Sequence, residues 1–323
     1  MNQMLATKEL NTVFDECNVL KQELLDGLCA AEKYINPKFF YDEYGSQLFE
    51  KIMQLPEYYP SRTEMALLEK YKNEIAATLG KDIVLIEPGA GNCEKVEYIL
   101  NAVNPVCYMP IDISADFLFE CASKLQAKVP HISIHAIADD MKAKINPPES
   151  FNKNKKVVFY PGSTIGNYDP AEALEFLKHV RDTVGDKGGL LIGVDLEKDK
   201  RTLNAAYNDE EGITALFNLN VLNHANTLLD SAINVELFEH IAFYNEEHSR
   251  IEMHLESKAE HQCDIGKDMQ VRFFEKERIH TEYSYKYTLD SFAKLAKKAG
   301  LTLKEYWVDD DGLFSVQYFE VLV

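Results

Sequence analysis

The sequence predicts an α/β fold built on a largely parallel sheet, with a second α+β region joined to it. From residue 83 onward, short apolar, β-branched runs alternate with helical patterns at intervals of about 24 to 32 residues, the spacing of βα units. Two segments break that alternation, the first 60 residues and residues 196–287.

The candidate strands are DIVLIE (82–87), VCYMPID (106–112), HISIHAI (131–137), VVFYPG (157–162) and GLLIGVD (189–195). Continuous apolar runs of this kind suit parallel strands covered on both faces. TLDSFAKLAKKAG (288–300) reads as an amphipathic helix closed by Gly300. Two extended runs follow it across Asp309, Asp310, Asp311 and Gly312, an acidic D-G turn that predicts a terminal hairpin. Five parallel strands, a helix and a hairpin match the Rossmann-like, seven-stranded sheet of class I methyltransferases. The aromatic-rich N-terminal segment looks helical, and 196–287 opens with the helix-like DKRTLNAAYNDEEGITALFNLNVLNHAN before turning to alternating, strand-like runs. The predicted division is 61–195 plus 288–323 for the sheet domain, and 1–60 plus 196–287 for a second domain placed over the carboxyl ends of the strands, where open α/β sheets bind ligands. NPPESFNKNKK (146–156) reads as a long surface loop.

Composition narrows the function. The chain has 323 residues, 46% hydrophobic and 27% charged, enough to bury a core without a metal or disulfide staple. Its net charge of -19 opposes a phosphate backbone, so nucleic acid is not an expected partner. Six scattered cysteines form no C-x-x-C pair, and no His cluster has zinc spacing; reduced thiols and no metal site are expected. No basic n-region precedes an apolar run, and no uncharged stretch reaches the length of a membrane span. A cytoplasmic, soluble, monomeric protein with a small-molecule substrate fits these features.

IEPGAGNCEK (86–95) places Gly89 and Gly91 directly after the first strand and before a helix, where backbone can approach a ligand. Asp112, 21 residues beyond Gly91 at the end of the second strand, stands where a carboxylate accepts from ribose hydroxyls. A dinucleotide site wants a third glycine where Glu94 stands. A negative charge there opposes a pyrophosphate but not S-adenosylmethionine, which carries a sulfonium and an amino-acid end. Asp139 or Asp140, after the third strand, is the candidate adenine contact.

Longer strings carry a resemblance. FYDEYGSQLFEKIMQLPEYYPSRTE (40–64), GSTIGNYDPAE (162–172), AAYNDEEGITALFNLNVL (205–222), RIEMHL (250–255) and TEYSYKY (281–287) resemble the S-adenosylmethionine-dependent L-histidine Nα-methyltransferases of ergothioneine biosynthesis. The wider family includes enzymes acting on other amino acids, such as prenylated tryptophan. The resemblance implies a Rossmann-like domain, a substrate-binding domain made from the N-terminal segment and the insertion, and substrate held between the two. It implies cofactor contacts at Tyr58, Gly89, Lys95 and Asp112, with Asp139 and Asp140 at the adenine edge. Asn167 and Tyr207 match groups that hold the substrate carboxylate, with Tyr58 also on the substrate side. Glu282 and Ser284 match those that hold the imidazole, and Met253 lines the same pocket. Tyr41, Phe49 and Gly162 match the surroundings of the reacting amine. Pro88, Ala90 and Asp140 depart from the residues common at those family positions.

The chemistry is consistent with those roles. A carboxylate and a hydroxyl two residues apart on a strand share a face and can pair imidazole nitrogens, which an apolar ring cannot satisfy. Aromatic faces attract an amine that becomes quaternary. The implied reaction is methylation of the α-amino group of L-histidine, three times to hercynine, with S-adenosyl-L-homocysteine as by-product. The same chemistry on another amino acid, such as a tryptophan derivative, and a non-catalytic ligand-binding homologue are the alternatives. No dedicated base stands out; Tyr41 acting through a water is the candidate.

PGSTIGNYDPAE (161–172) first suggests a phosphate cradle, but no Lys follows its glycines and Asp169 brings negative charge. Asp169, Pro170 and Glu172 instead predict a capping box at the start of a helix. The loop ahead of that helix then reads as the floor of an amino-acid pocket.

Overall fold

The computed structural model describes residues 18–139, 148–265 and 269–321. Helix α1 covers 18–29, followed by a 3-10 turn at Pro37–Phe40 and helices α2 (Glu43–Ile52) and α3 (Tyr59–Leu79). The βα alternation then runs β1 (Ile83–Pro88), α4 (Glu94–Val103), β2 (Cys107–Asp112), α5 (Ala115–Lys128), β3 (Ser133–Ile134), β4 (Ile137–Ala138), β5 (Lys155–Tyr160), α6 (Pro170–Val184) and β6 (Gly189–Asp195). Next come α7 (Lys200–Ala205), α8 (Ile213–Leu229), β7 (Phe238–Asn245), β8 (Arg250–Ser257), β9 (His261–Ile265), β10 (Met269–Phe273) and β11 (Arg278–Tyr285). Helix α9 (Leu289–Lys298) and the hairpin β12 (Leu301–Val308) and β13 (Phe314–Val321) complete the chain.

Two compact units result, one combining residues up to Tyr58 with Asp199–Ser284, the other combining Tyr59–Lys198 with Tyr285–Val323. In the second, the strand order is β12-β13-β6-β5-β1-β2-β3, with β4 also pairing β2. Strands β3, β2, β1, β5 and β6 are parallel, and β13 enters antiparallel beside β6. The order reverses between the neighbours β1 and β5, so the loops after these strands flank the crevice in which such sheets bind ligands. Every residue of β1 and of β6 is buried, as expected from their continuous apolar runs. Helices α3, α4 and α5 contribute Leu68, Ile75, Ile99, Leu100 and Leu118 to the core against that sheet.

The expected third strand, 131–137, is instead split into β3 and β4. Its backbone is diverted by Gln126 of α5, whose amide donates to the carbonyls of Val129 and Ile132 and whose oxygen accepts from Ile134 N–H. His131 and His135 are exposed, so this edge lacks the two-sided burial that keeps the central strands regular. The helix-like 199–226 is likewise two helices: the carboxylate of Asp209 accepts from Ile213 and Thr214 N–H and restarts the chain at α8. The terminal hairpin turns at Gly312, where φ is +69°, while Asp309 accepts from the N–H groups of Asp311 and Phe314.

The other unit contains a three-stranded sheet, β11-β8-β7, and the β9–β10 hairpin. Helix α8 packs on β7 and β8 and on α2. Polar residues on α8 are used internally: Asn218 donates to the His254 carbonyl and accepts from the Thr281 hydroxyl, while Asn220 donates to Asp42, the N-cap of α2.

Candidate active site

In the sheet unit, the loop after β1 is shaped by its backbone. Gly89 and Gly91 have φ of +69° and +51°, left-handed values that suit glycine. A β-carbon at Gly91 would meet no protein atom within 4 Å, so conformation rather than crowding requires glycine there. Gly89 and Ala90 donate to the Ile111 carbonyl. The two oxygens of Asp112 accept from Gly91 N–H and Ser114 N–H, each at 3.0 Å, tying the glycine loop to the end of β2. Asp139, exposed just beyond β4, donates its N–H to the Asp112 carbonyl. Asp140 lies outside the described residues.

Beneath the loop, Glu87 is buried at the end of β1 and accepts from the Tyr108 hydroxyl. Burial pushes its carboxyl up to about 8, against the hydrogen bond from Tyr108 and the attraction of Lys95. Glu87 is therefore mostly the neutral acid at pH 7.

Glu64, on α3, is only 1% exposed and brings three segments together. Its Oε2 lies 2.7 Å from Lys95 Nζ in the first turn of α4. Both of its oxygens accept from Gly162 N–H, at 2.8 and 2.9 Å. A β-carbon at Gly193, on β6, would lie 1.9 Å from Glu64 Oε1, so the bare strand makes room for this carboxylate. Gly162 has φ of +86°, and a β-carbon there would come within 2.9 Å of Lys95 Nζ.

The rest of the 161–172 loop is also anchored. Ser163 Oγ accepts from Asp195 N–H at 2.9 Å, and Asn167 ends the 3-10 turn Thr164–Asn167, half-buried. The expected capping box is present: Asp169 accepts from Ala171 and Glu172 N–H, Glu172 accepts from Asp169 N–H, and Pro170 opens α6. The helix terminus is thus satisfied by its own side chains rather than by an anion.

Asp195 itself centres a buried network. The Tyr59 hydroxyl donates to it at 2.8 Å, and the ammonium groups of Lys198 and Lys286 lie 2.6 and 2.7 Å away. Burial opposes ionisation of Asp195, but the two lysines outweigh it and hold the carboxyl below its usual range. Burial lowers Lys198 to about 8, against the pull of Asp195 and helped by the neighbouring Lys286 charge.

The other unit gathers the aromatic and polar candidates. Tyr41, Phe49 and Phe217 form a mutual cluster with centroid separations of 5.7, 5.9 and 5.9 Å. Phe49 continues edge-on to Tyr58 at 6.2 Å, and Tyr58 to Tyr207 at 6.3 Å. The Tyr207 hydroxyl donates to Ser284 Oγ at 2.9 Å. Glu282, Ser284 and Met253 are buried, and the Met253 carbonyl accepts from the Thr281 hydroxyl. Although 47% of Tyr41 is exposed, desolvation, followed by the charges of Glu282 and Tyr207, raises its phenol well above the usual value. Tyr41, Tyr207, Glu282 and Ser284 therefore belong to one neighbourhood, an aromatic wall with a carboxylate and hydroxyls beside it.

Sequence reasoning did not single out Glu64, Phe217 or Asp195. For Glu64 a signal existed: an isolated glycine inside a buried strand, Gly193, marks the close approach of another group. Among the described residues, no group of three or more His, Cys, Asp and Glu is arranged to hold a metal ion.

The glycine loop, the carboxylate Asp112 at the end of β2 and the cation Lys95 are compatible with S-adenosylmethionine, whose amino-acid end carries a carboxylate and whose sulfonium tolerates Glu94 nearby. A structure of an S-adenosylmethionine-dependent methyltransferase from Clostridium acetobutylicum aligns with a TM-score of 0.50 and 10% identity, covering 86% of this chain and 99% of that one, a likeness of fold. A histidine N-alpha-methyltransferase of Mycolicibacterium smegmatis is 37% identical over 302 residues, 92% of this chain and 93% of that protein. Ergothioneine biosynthesis protein 1 of Neurospora crassa is 33% identical over 282 residues, 83% of this chain and 31% of that longer protein. The model of the histidine-specific, S-adenosylmethionine-dependent methyltransferases matches residues 20–321. With that match spanning both the sheet and the aromatic unit, the chain belongs to the family of histidine-specific, S-adenosylmethionine-dependent methyltransferases.

Proposed function

We propose that this protein methylates the α-amino group of L-histidine, three times in succession, to give the betaine hercynine. The observation that carries the substrate assignment is the buried carboxylate of Glu282 and the hydroxyl of Ser284 beside the aromatic wall of Tyr41, Phe49 and Phe217. An imidazole offers two nitrogens to such a pair, whereas an indole offers a single N–H donor and a phenyl ring none.

S-adenosylmethionine, when bound, supplies an electrophilic methyl group that passes to the amine nitrogen while the sulfur leaves as a neutral thioether. Lys95 and Asp112 hold the cofactor's carboxylate and ribose, and the left-handed glycines let backbone approach it. Asn167 and Tyr207 hold the substrate carboxylate, and Tyr41 and Phe49 face the amine as it gains methyl groups and finally a fixed positive charge. The amine attacks through its lone pair, so it gives up a proton to water before each transfer. Orientation then supplies the acceleration, an effect worth roughly 7–11 kcal/mol where the geometry is near-attack.

We further propose that it works as a monomer in the cytoplasm; the net charge of -19 disfavours self-association, and Cys29, Cys93, Cys107, Cys121 and Cys263 are free thiols. Incubation with S-adenosylmethionine and each of the twenty amino acids, read by mass spectrometry, tests the activity. Three added methyl groups on histidine alone are expected. Absence of any mass gain on histidine would overturn the proposal.

A further inference from the structure

We infer that Glu64 is a positioning residue of the methyltransferase site, its single carboxylate holding the Lys95 ammonium and the Gly162 backbone in fixed register. The inference rests on the reading of this unit as the cofactor-binding half.

The geometry is more demanding than an ordinary helix-to-helix ion pair requires. Glu64 comes from α3, Lys95 from the first turn of α4 and Gly162 from the loop after β5, so one side chain joins the helix that follows β1 to the loop that follows β5, on the two sides of the reversal of strand order. Both carboxylate oxygens are engaged by Gly162 N–H, and one of them also meets the ammonium. The bare strand at Gly193 admits the group, since a β-carbon there would collide with Glu64 Oε1, and the left-handed φ of +86° at Gly162 requires glycine where the N–H meets the carboxylate. A buried ion pair gains little stability over an apolar replacement of the same shape, so stability alone gives small reason for a carboxylate here. Helix α3 already contributes Leu67, Leu68, Ile75 and Leu79 to the core without it. What the carboxylate adds is direction: it fixes Lys95, the residue proposed to hold the cofactor's carboxylate, and Gly162, the residue proposed to lie beside the reacting amine. Glu64 touches neither reactant in this scheme and acts through the two groups that do.

The test uses the full-length protein with Glu64→Gln, Lys95→Met and the double variant. Glutamine keeps an acceptor for Gly162 N–H and removes the charge facing Lys95, which isolates that arm of the contact. S-adenosylhomocysteine affinity is measured by calorimetry, and KM for each substrate by steady-state kinetics. The expected result is about tenfold weaker binding for each single variant and no further loss in the double, with KM for S-adenosylmethionine raised and KM for histidine within about twofold of the parent. Independent, multiplying losses, or Glu64→Gln indistinguishable from the parent, overturn the inference. The double variant buries no unpaired charge, so if Glu64→Gln alone does not fold, comparison of the double with Lys95→Met decides: equal affinity supports the inference and a further tenfold loss overturns it. A parent protein that fails to bind S-adenosylhomocysteine overturns the functional reading as well, an outcome distinct from a normal parent with a silent Glu64→Gln.

Discussion

The Tyr207 hydroxyl donates to Ser284 Oγ at 2.9 Å, joining the turn after α7 to the end of strand β11. The family resemblance implies opposite ends of the substrate for the two residues, carboxylate and imidazole, yet they are direct neighbours. They therefore form one polar unit, in which each orients the other's lone pairs. Tyr207→Phe and Ser284→Ala are each expected to raise KM for histidine about tenfold, the scale of a hydrogen bond of about 1–1.5 kcal/mol. The double variant is expected to lose clearly less than the hundredfold that independence requires. Steady-state kinetics on the four proteins checks this, and full multiplication of the two losses contradicts the shared unit.

Tyr41 offered a candidate base in the sequence, but its environment favours another use. Desolvation and the nearby Glu282 charge keep its phenol protonated far above neutral pH. It serves as an aromatic wall, through rings 5.7 Å from Phe49 and 5.9 Å from Phe217. Tyr41→Phe preserves that ring. Its kcat should fall less than tenfold, below the 10²–10⁴ that removal of a general base typically costs, and the pH profile of kcat should keep its shape. A loss of a thousandfold or more would return the proton to Tyr41.

The central strands were legible because burial on both faces leaves a simple imprint, an unbroken run such as VLIE or LLIGVD. The edge was not: HISIHAI has strand composition, but Gln126 takes up the backbone groups that a full strand would pair. The capping box at Asp169 could be read because all its partners lie within three residues. Glu64 left only an indirect trace: its contacts reach Lys95, Gly162 and Gly193 across the chain, and Gly193 signals that some group approaches without saying which, while nothing local to PSRTE marks them. Phe217 escaped for a different reason. Helix α8 buries Phe217, Asn218, Asn220, Val221 and Leu222 on adjoining faces, so no clean periodicity separates a core face from a site face.

Glu87 makes stability depend on pH. Burial raises its carboxyl from 4.5 to about 8 in the folded protein, so the native state keeps a proton that the unfolded chain releases. The contribution is complete below about 4.5 and is lost as pH rises through about 8, at up to about 1.4 kcal/mol per pH unit in between. The buried histidines His240, His254 and His280, held below their usual range by desolvation, push the other way in both proteins, so in chemical denaturation from pH 5 to 8 the parent should lose stability relative to Glu87→Gln as pH rises. A parent slope unchanged by the substitution would show that Glu87 is ionised in the native state.

The network around Asp195 predicts an asymmetry between its members. The chain passes from one compact unit to the other after Tyr58, Lys198 and Ser284, and Tyr59, Lys198 and Lys286 each lie within two residues of one of those passages. All three converge on the Asp195 carboxylate. One carboxylate here faces two ammonium groups, so the network carries a surplus of positive charge; burial first, and then the Lys286 charge, lower Lys198 to about 8 against the pull of Asp195. Asp195→Asn leaves two buried cations facing each other and should cost about 3–5 kcal/mol. Lys198→Met removes the surplus cation and leaves the Asp195 and Lys286 pair intact, so it should cost less than about 1.5 kcal/mol. The Tyr59 hydroxyl then keeps its acceptor. Urea unfolding of the two variants measures the difference. Equal destabilisation would mean that both lysines are needed to neutralise Asp195, contrary to the charge count in the structure.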